Sequence, residues 1–224
     1  MIKAVIFDMD DTLYPEYEYV LSGFKAVDEY LISKGTFGFF NMATHLFEKG
    51  ERGKIFNQAL ECLEVSYSKD DIFNLVSIYR NHLPTINLFP DALQILETLK
   101  DKMPLGLISD GYFKVQQMKV QALGLTNYIE KIVLTDEFGR NAWKPSPIPY
   151  QILSKHFNLN TNELIYVGDN ESKDFITANQ LGWTTVQIIR DSNEYKNVEA
   201  TINYRAHFKI KSLIEVLEII NSKI

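Results

Sequence analysis

The sequence predicts an α/β protein: a doubly wound parallel sheet with an α-helical segment inserted after its first strand. Three observations carry this expectation. Short, β-branched, almost continuous apolar runs recur along the chain. Amphipathic helical stretches separate most of them, and one stretch of roughly 70 residues between the first and second runs holds no convincing strand, which is too long for a connecting loop.

Ile2 to Phe7 is the first run, and its apolar character on both faces suits a strand buried on both sides of a sheet. From about Tyr14 to Leu88 the pattern becomes helical, with candidates at Glu16 to Ser33, Phe39 to Lys49, Lys54 to Leu63 and Lys69 to His82. The aromatics of this stretch (Tyr17, Tyr19, Phe24, Tyr30, Phe37, Phe39, Phe40 and Phe47) are expected to form mostly its own core. Alternation then begins. Asp91 to Lys100, with Pro90 before it, reads as a helix, and Leu105 to Ile108 as a strand. A helix from Tyr112 to Leu123 is closed by Gly124 and followed by a strand at Ile132 to Leu134. Pro147 to Phe157 is a helix, Leu164 to Val167 a strand, Ser172 to Leu181 a helix closed by Gly182, and Val186 to Ile189 a strand. A weaker strand at Ala200 to Tyr204 and a helix at Lys211 to Ile220 finish the series. Strand and helix in alternation give a Rossmann-like, doubly wound sheet.

Composition narrows the function. Of the 224 residues, 46% are hydrophobic and 23% charged, which supports a sizeable core and excludes disorder. The net charge of −6 leaves no basic stripe for nucleic acid or an anionic membrane, so neither partner is expected. No apolar stretch approaches the roughly 18 residues of a membrane span, and MIKAVIFD lacks a signal pattern, so the expected compartment is the cytoplasm. The single cysteine, Cys62, has no partner for a disulfide and reads as a small apolar helix residue.

In an open parallel sheet, ligands bind beyond the carboxyl ends of the strands. There the first strand runs into Asp8, Asp10 and Asp11, three carboxylates within four positions that repel one another unless a cation or a reaction requires them. The second ends in Ser109-Asp110-Gly111, where a hydroxyl and free backbone N–H groups can hold an oxyanion. Trp143-Lys144-Pro145 supplies an ammonium, and the fourth strand ends in Gly168-Asp169, with Asp174 five residues on. Singly, each signal also suits a turn, a cap or a solvated lysine. Their order, each beside a strand end, points to a site.

In that order the motifs Asp8-Met9-Asp10-Asp11-Thr12-Leu13, Leu107-Ile108-Ser109-Asp110-Gly111, Lys144-Pro145 and Val167-Gly168-Asp169-Asn170-Glu171-Ser172-Lys173-Asp174 resemble those of the haloacid dehalogenase-like superfamily of hydrolases. The resemblance spans essentially the whole core. It implies a core of residues 1–14 and 88–224 and a helical cap of residues 15–87 that closes over the leaving group. Phe89-Pro90-Asp91 resembles the return from cap to core in phosphatases of the group.

The resemblance also implies a Mg²⁺-dependent phosphatase acting on a small phosphorylated metabolite. Asp8 is then the nucleophile that forms an aspartyl-phosphate, and Asp10 the acid/base. Asp8, the backbone carbonyl of Asp10 and Asp169 are the implied ligands of Mg²⁺. Ser109 is implied to bind a phosphoryl oxygen, Lys144 to balance the charge of Asp8, and Asp174 to orient Lys144 or a metal-bound water. N–H groups near Met9, Asp10 and Asp110 are implied as further donors, Thr12 as a brace of the loop through its hydroxyl, and Tyr14 as a wall of the leaving-group pocket. Asp11 stands where many relatives have Gly and is expected to be a loop or capping residue. Lys173 stands where many have Asn, facing either the metal site or solvent. His45, His82, His156 and His207 fall outside every motif. A phosphomutase, a 2-haloacid dehalogenase and a non-catalytic metabolite-binding protein are the rival functions on this fold; Asp10 and Asp169 weigh against the dehalogenase.

Overall fold

The structure, a computed structural model, describes residues 1–190 and 201–222. Backbone contacts divide the chain into two compact units, Met1–Pro15 with Asn87–Ile224, and Glu16–Ile86.

The first unit is built on six parallel strands: β1 (Ala4–Phe7), β2 (Leu105–Ser109), β3 (Lys131–Leu134), β4 (Leu164–Gly168), β5 (Thr184–Ile188) and β6 (Phe208–Ile210). Their order across the sheet is β3-β2-β1-β4-β5-β6. Strand β1 therefore sits between β2, with Val5 opposite Leu105, and β4, with Val5 opposite Ile165. The connections run outward from β1 in both directions, so the sheet has its topological switch point where β1, β2 and β4 end. Strands β1, β2, β4 and β5 are buried at every position; β1, β2 and β4 accordingly read as nearly continuous apolar runs, whereas β5 also buries Thr184, Thr185 and Gln187.

Among the described residues, five α-helices belong to this unit: α5 (Pro90–Leu99), α6 (Phe113–Ala122), α7 (Ile148–Phe157), α8 (Phe175–Gln180) and α9 (Val216–Ser222). Pro90 opens α5, where its missing N–H costs no hydrogen bond. One apolar cluster joins Ile6, Ile108, Val133 and Tyr166 of the strands to Tyr150, Leu153, Phe175 and Trp183. Tyr150 lies 5.4 Å from Tyr166 and 5.6 Å from Trp183, ring to ring, and its hydroxyl donates to the Asp174 carbonyl at 2.8 Å. This core fixes the helix that begins beside the site.

Two expectations near the C-terminus change. Residues Ile202–Tyr204 form a 3₁₀ turn instead of a strand, and Ala200 lies outside the described residues. The sixth strand is Phe208–Ile210, whose first two residues are exposed, and that hides it from an apolar-run criterion. The last helix is preceded by a 3₁₀ turn at Leu213–Glu215, capped by Ser212.

The second unit comprises α1 (Glu16–Ile32), α2 (Phe39–Glu48), α3 (Ile55–Cys62) and α4 (Lys69–Asn81). Ser68 and Asp71 form a reciprocal capping box at the start of α4. Phe24 is the hub of the core, with Phe39, Phe47, Phe56 and Tyr79 around it at ring distances of 5.9–6.4 Å. Tyr19 is buried against Tyr79, whereas Phe37 and Tyr17 are exposed and lie outside the expected aromatic core. Cys62 ends α3, on a helix as expected, and is exposed.

Candidate active site

The chain leaves β1 at Phe7, and Asp8 follows with its N–H bonded to the Val167 carbonyl at 2.8 Å, which ties the start of the acidic loop to β4. The loop then turns at Asp11, whose φ of 52° is left-handed. Asp tolerates that region better than most residues, which fits a position where Gly is the common alternative. Leu13 returns an N–H to the Met9 carbonyl at 2.9 Å. Thr12 does not brace the loop through its hydroxyl as expected: among the described residues its buried Oγ1 has no hydrogen-bond partner, and the loop is held through the Thr12 carbonyl, which accepts from Arg190 at 2.9 Å.

Asp8, Asp169 and Asp174 are all buried, and one oxygen from each lies within 4.8 Å of the others. A single ammonium serves two of them. Lys144 Nζ lies 2.6 Å from Asp8 Oδ1 and 2.7 Å from Asp174 Oδ1, and it also donates to the Tyr166 hydroxyl at 3.0 Å. Asp174 takes a further N–H from Asn170 at 2.9 Å. Burial alone would raise its pKa, but the charges of Lys144 and Lys173 and these hydrogen bonds outweigh that and hold it below the ordinary carboxylate value. Burial likewise opposes the charge of Lys144, yet Asp174 and Asp8 together keep it firmly protonated. Asp8 is left with the smaller share: burial pushes its carboxyl up to about 6, with the negative charge of Asp174 adding to the rise against the pull of Lys144.

Asp169 is in a more extreme position. Its carbonyl is bonded by Gln187 at 3.0 Å, but no ion pair reaches its carboxylate among the described residues. Burial, followed by the charges of Asp174, Asp8 and Asp11, drives its pKa well upward. Among the described residues, three buried carboxylates set against the Lys144 ammonium, with Lys173 acting on them from farther away, leave negative charge uncompensated. An all-oxygen donor set of this kind suits a hard divalent cation, so the residues present fit a metal.

Asp10 faces elsewhere. Its Oδ1 accepts from the Tyr14 hydroxyl at 2.5 Å and from Lys119 Nζ at 2.7 Å, and its Oδ2 accepts from Gln116 Nε2 at 2.7 Å. Burial raises its pKa, but the charge and hydrogen bond of Lys119, with the bonds from Tyr14 and Gln116, outweigh burial and place it below the ordinary value. Two carboxylates two residues apart therefore carry opposite shifts, one near 6 and one depressed.

Ser109 ends β2, fully buried, with Oγ accepting from Gln116 at 2.7 Å. Asp110 works as a staple: Oδ1 accepts from the Thr135 hydroxyl at 2.8 Å and from the Lys144 N–H at 3.0 Å, which fixes the Lys144 segment to the end of β2. Lys173 Nζ stands 3.5 Å from Asp110 Oδ2, and its charge acts on both Asp8 and Asp174; it therefore faces the acidic cluster. Gly168 is where β4 meets Asp174, and a Cβ there would lie 2.6 Å from Asp174 Oδ2.

Asp8, Ser109, Lys144, Asp169, Asp174 and Asp110 thus come together at the switch point, with Asp10 alongside. Tyr166, Gln116 and Lys119 belong to the same network and were not singled out from the sequence. Periodicity in α6 gives no such signal, because the face it buries carries Gln116 and Lys119 beside Val120 while Phe113 is exposed.

A family model described as haloacid dehalogenase-like hydrolase matches residues 5–188. The chain belongs to the haloacid dehalogenase-like hydrolase family. Among curated members, it is 28% identical to the glyceraldehyde 3-phosphate phosphatase of Methanocaldococcus jannaschii, across 99% of this chain and 98% of that protein. It is also 28% identical to the ribulose-1,5-bisphosphate 5-phosphatase of Halopiger xanaduensis, across 83% of this chain and 84% of that one. In fold it resembles a haloacid dehalogenase superfamily hydrolase of subfamily IA from Geobacter sulfurreducens, with a TM-score of 0.70 at 18% identity over 98% of this chain and 96% of that one. The six-stranded parallel sheet flanked by helices is the family's α/β fold. Among the described residues, no helix is long and apolar enough to cross a membrane.

Proposed function

We propose that the protein is a Mg²⁺-dependent phosphatase that hydrolyses a small phosphorylated metabolite through an aspartyl-phosphate on Asp8. The observation that carries this reading is the division of labour between Asp8 and Asp10: one carboxylate pairs with Lys144 inside the acidic cluster, the other is held by donors from the loop and α6. Phosphoryl transfer through a covalent intermediate asks for two carboxylates in two roles.

Asp8 attacks phosphorus in its ionised form, and Lys144 opposes the charge that nucleophile and phosphoryl group bring together. Asp174 and Tyr166 hold Lys144 in place for this. The Ser109 hydroxyl, at the end of β2, bonds a phosphoryl oxygen. Asp10 gives a proton to the departing alcohol oxygen and takes one from the water that hydrolyses the intermediate. Its donors favour the ionised form, which is the base needed in the second half; the arriving phosphoryl anion counters them in the first half by raising its proton affinity. Asp8, Asp169 and the Asp10 carbonyl would hold Mg²⁺, with Asp174 beside them. The cation supplies neutralisation of phosphoryl and carboxylate charge in a site where Asp8 and Asp174 share the Lys144 ammonium.

The names of the relatives support a phosphorylated small sugar as the substrate class. The helical residues 16–86 take the role of the cap, selecting the leaving group. Phosphate release from triose phosphates, pentose bisphosphates, nucleoside monophosphates and pyrophosphate, with Mg²⁺ and with chelator, tests the reading. Release that requires the metal and ranks a sugar phosphate first is expected. Release unaffected by thorough chelation would contradict it.

A further inference from the structure

Helix α6 follows Ser109-Asp110-Gly111 and buries two polar side chains one turn apart, Gln116 and Lys119. Burying such groups is costly unless they are bonded, and every bond shown for them goes to the acidic loop or to the end of β2. Gln116 Nε2 donates to Asp10 Oδ2 at 2.7 Å, to Ser109 Oγ at 2.7 Å and to the Asp110 carbonyl at 2.8 Å. Two N–H bonds thus serve three acceptors, so at least one hydrogen is shared. Lys119 Nζ holds the other oxygen of Asp10 at 2.7 Å.

The backbone makes room for this arrangement. Gly111 has φ of +134°, and a Cβ there would stand 2.9 Å from Gln116 Cδ and 3.2 Å from its Oε1. A side chain at 111 would therefore displace the carboxamide from its three acceptors.

We propose that Gln116 and Lys119 are positioning residues, a clasp on α6 that holds the Asp10 carboxylate in fixed relation to the Ser109 hydroxyl, so that proton transfer is aimed at the leaving oxygen of a bound phosphoryl group. The proposal rests on the reading of Asp10 as acid/base. Neither residue is assigned contact with the reacting atoms. Their effect is to hold the proton donor still, and small misplacements of a catalytic group are expensive in rate.

Leaving groups separate this role from general damage. An alkyl alcohol needs a proton as the ester bond breaks, whereas p-nitrophenolate departs without one, and kcat/KM reports the steps through formation of the aspartyl-phosphate. For Gln116→Leu and Lys119→Met, kcat/KM for β-glycerol phosphate is expected to fall by about 100-fold, and for p-nitrophenyl phosphate by at least about tenfold less. Gly111→Ala should give the same split with Gln116 intact, and Lys119→Arg should recover part of the loss. If Gln116→Leu fails to fold, Gln116→Asn keeps the carboxamide, shortens its reach and should show the split. Equal losses on both esters, or no loss on either, would overturn the clasp. Failure of the underlying reading looks different: Asp10→Asn would turn over both esters like wild type, and the clasp would fall with it.

Discussion

Lys144 Nζ lies 2.6 Å from Asp8 Oδ1, with both side chains buried and the same ammonium 2.7 Å from Asp174. The proposed nucleophile therefore shares the ammonium it pairs with, that of Lys144, with a neighbour that competes for it.

Removing that ammonium should damage both fold and activity. Lys144→Met leaves Asp8 and Asp174 buried without their partner, a type of change that typically costs about 3–5 kcal/mol. Urea unfolding of wild type and variant should show a lower midpoint with an unchanged slope. Turnover of the variant should be lost even where it remains folded; a folded Lys144→Met with wild-type turnover would remove Lys144 from the mechanism.

The acidic cluster should link pH to metal binding. Asp8 titrates near 6, and Asp169 is also raised, so the folded chain binds these protons more tightly than the unfolded one. Their contribution to stability is therefore present at pH below the ordinary carboxylate value and is lost as pH rises through about 6 for Asp8. A divalent cation binds the ionised carboxylates and reverses that loss. Thermal unfolding with and without Mg²⁺ should show a larger stabilisation at pH 7 than at pH 5. For a single group titrating near 6, affinity should be weaker by roughly tenfold at the lower pH. An equal Mg²⁺ effect at both values would disconnect the metal from Asp8.

Gly168 should be intolerant of even one methyl group. In Gly168→Ala the new Cβ would press on Asp174 Oδ2 from 2.6 Å, and its other near neighbours are Asp174 Cγ and the Tyr166 ring, so the strain falls on the two groups that hold Lys144. A loss of about 1–3 kcal/mol in stability is expected, together with a fall in kcat larger than any change in KM. A fully stable, fully active alanine variant would show that Asp174 can shift without consequence.

Much of the fold could be read because the central strands are buried on both faces: β1, β2 and β4 appear as nearly continuous apolar runs, and their ends carry Asp8, Ser109 and Asp169. What escaped the sequence had a different physical origin. β6 is an edge strand with two exposed residues out of three, so no apolar run marks it. Tyr166 looks like any strand aromatic until its hydroxyl is placed beside Lys144. Gln116 and Lys119 sit 106 and 109 residues from Asp10, and only the packing of α6 beside the end of β2 brings them together. Thr12 shows the converse, since its type suggested a hydroxyl brace and the folded loop uses its carbonyl.

The most direct measurement is acid quench of the enzyme during turnover of a phosphate monoester with Mg²⁺, followed by peptide mass analysis of wild type and Asp8→Asn. A phosphoryl group on the peptide containing Asp8, absent from the variant along with turnover, is the expected result. Turnover by Asp8→Asn at the wild-type rate, or a phosphoryl group carried by any other residue, would contradict it.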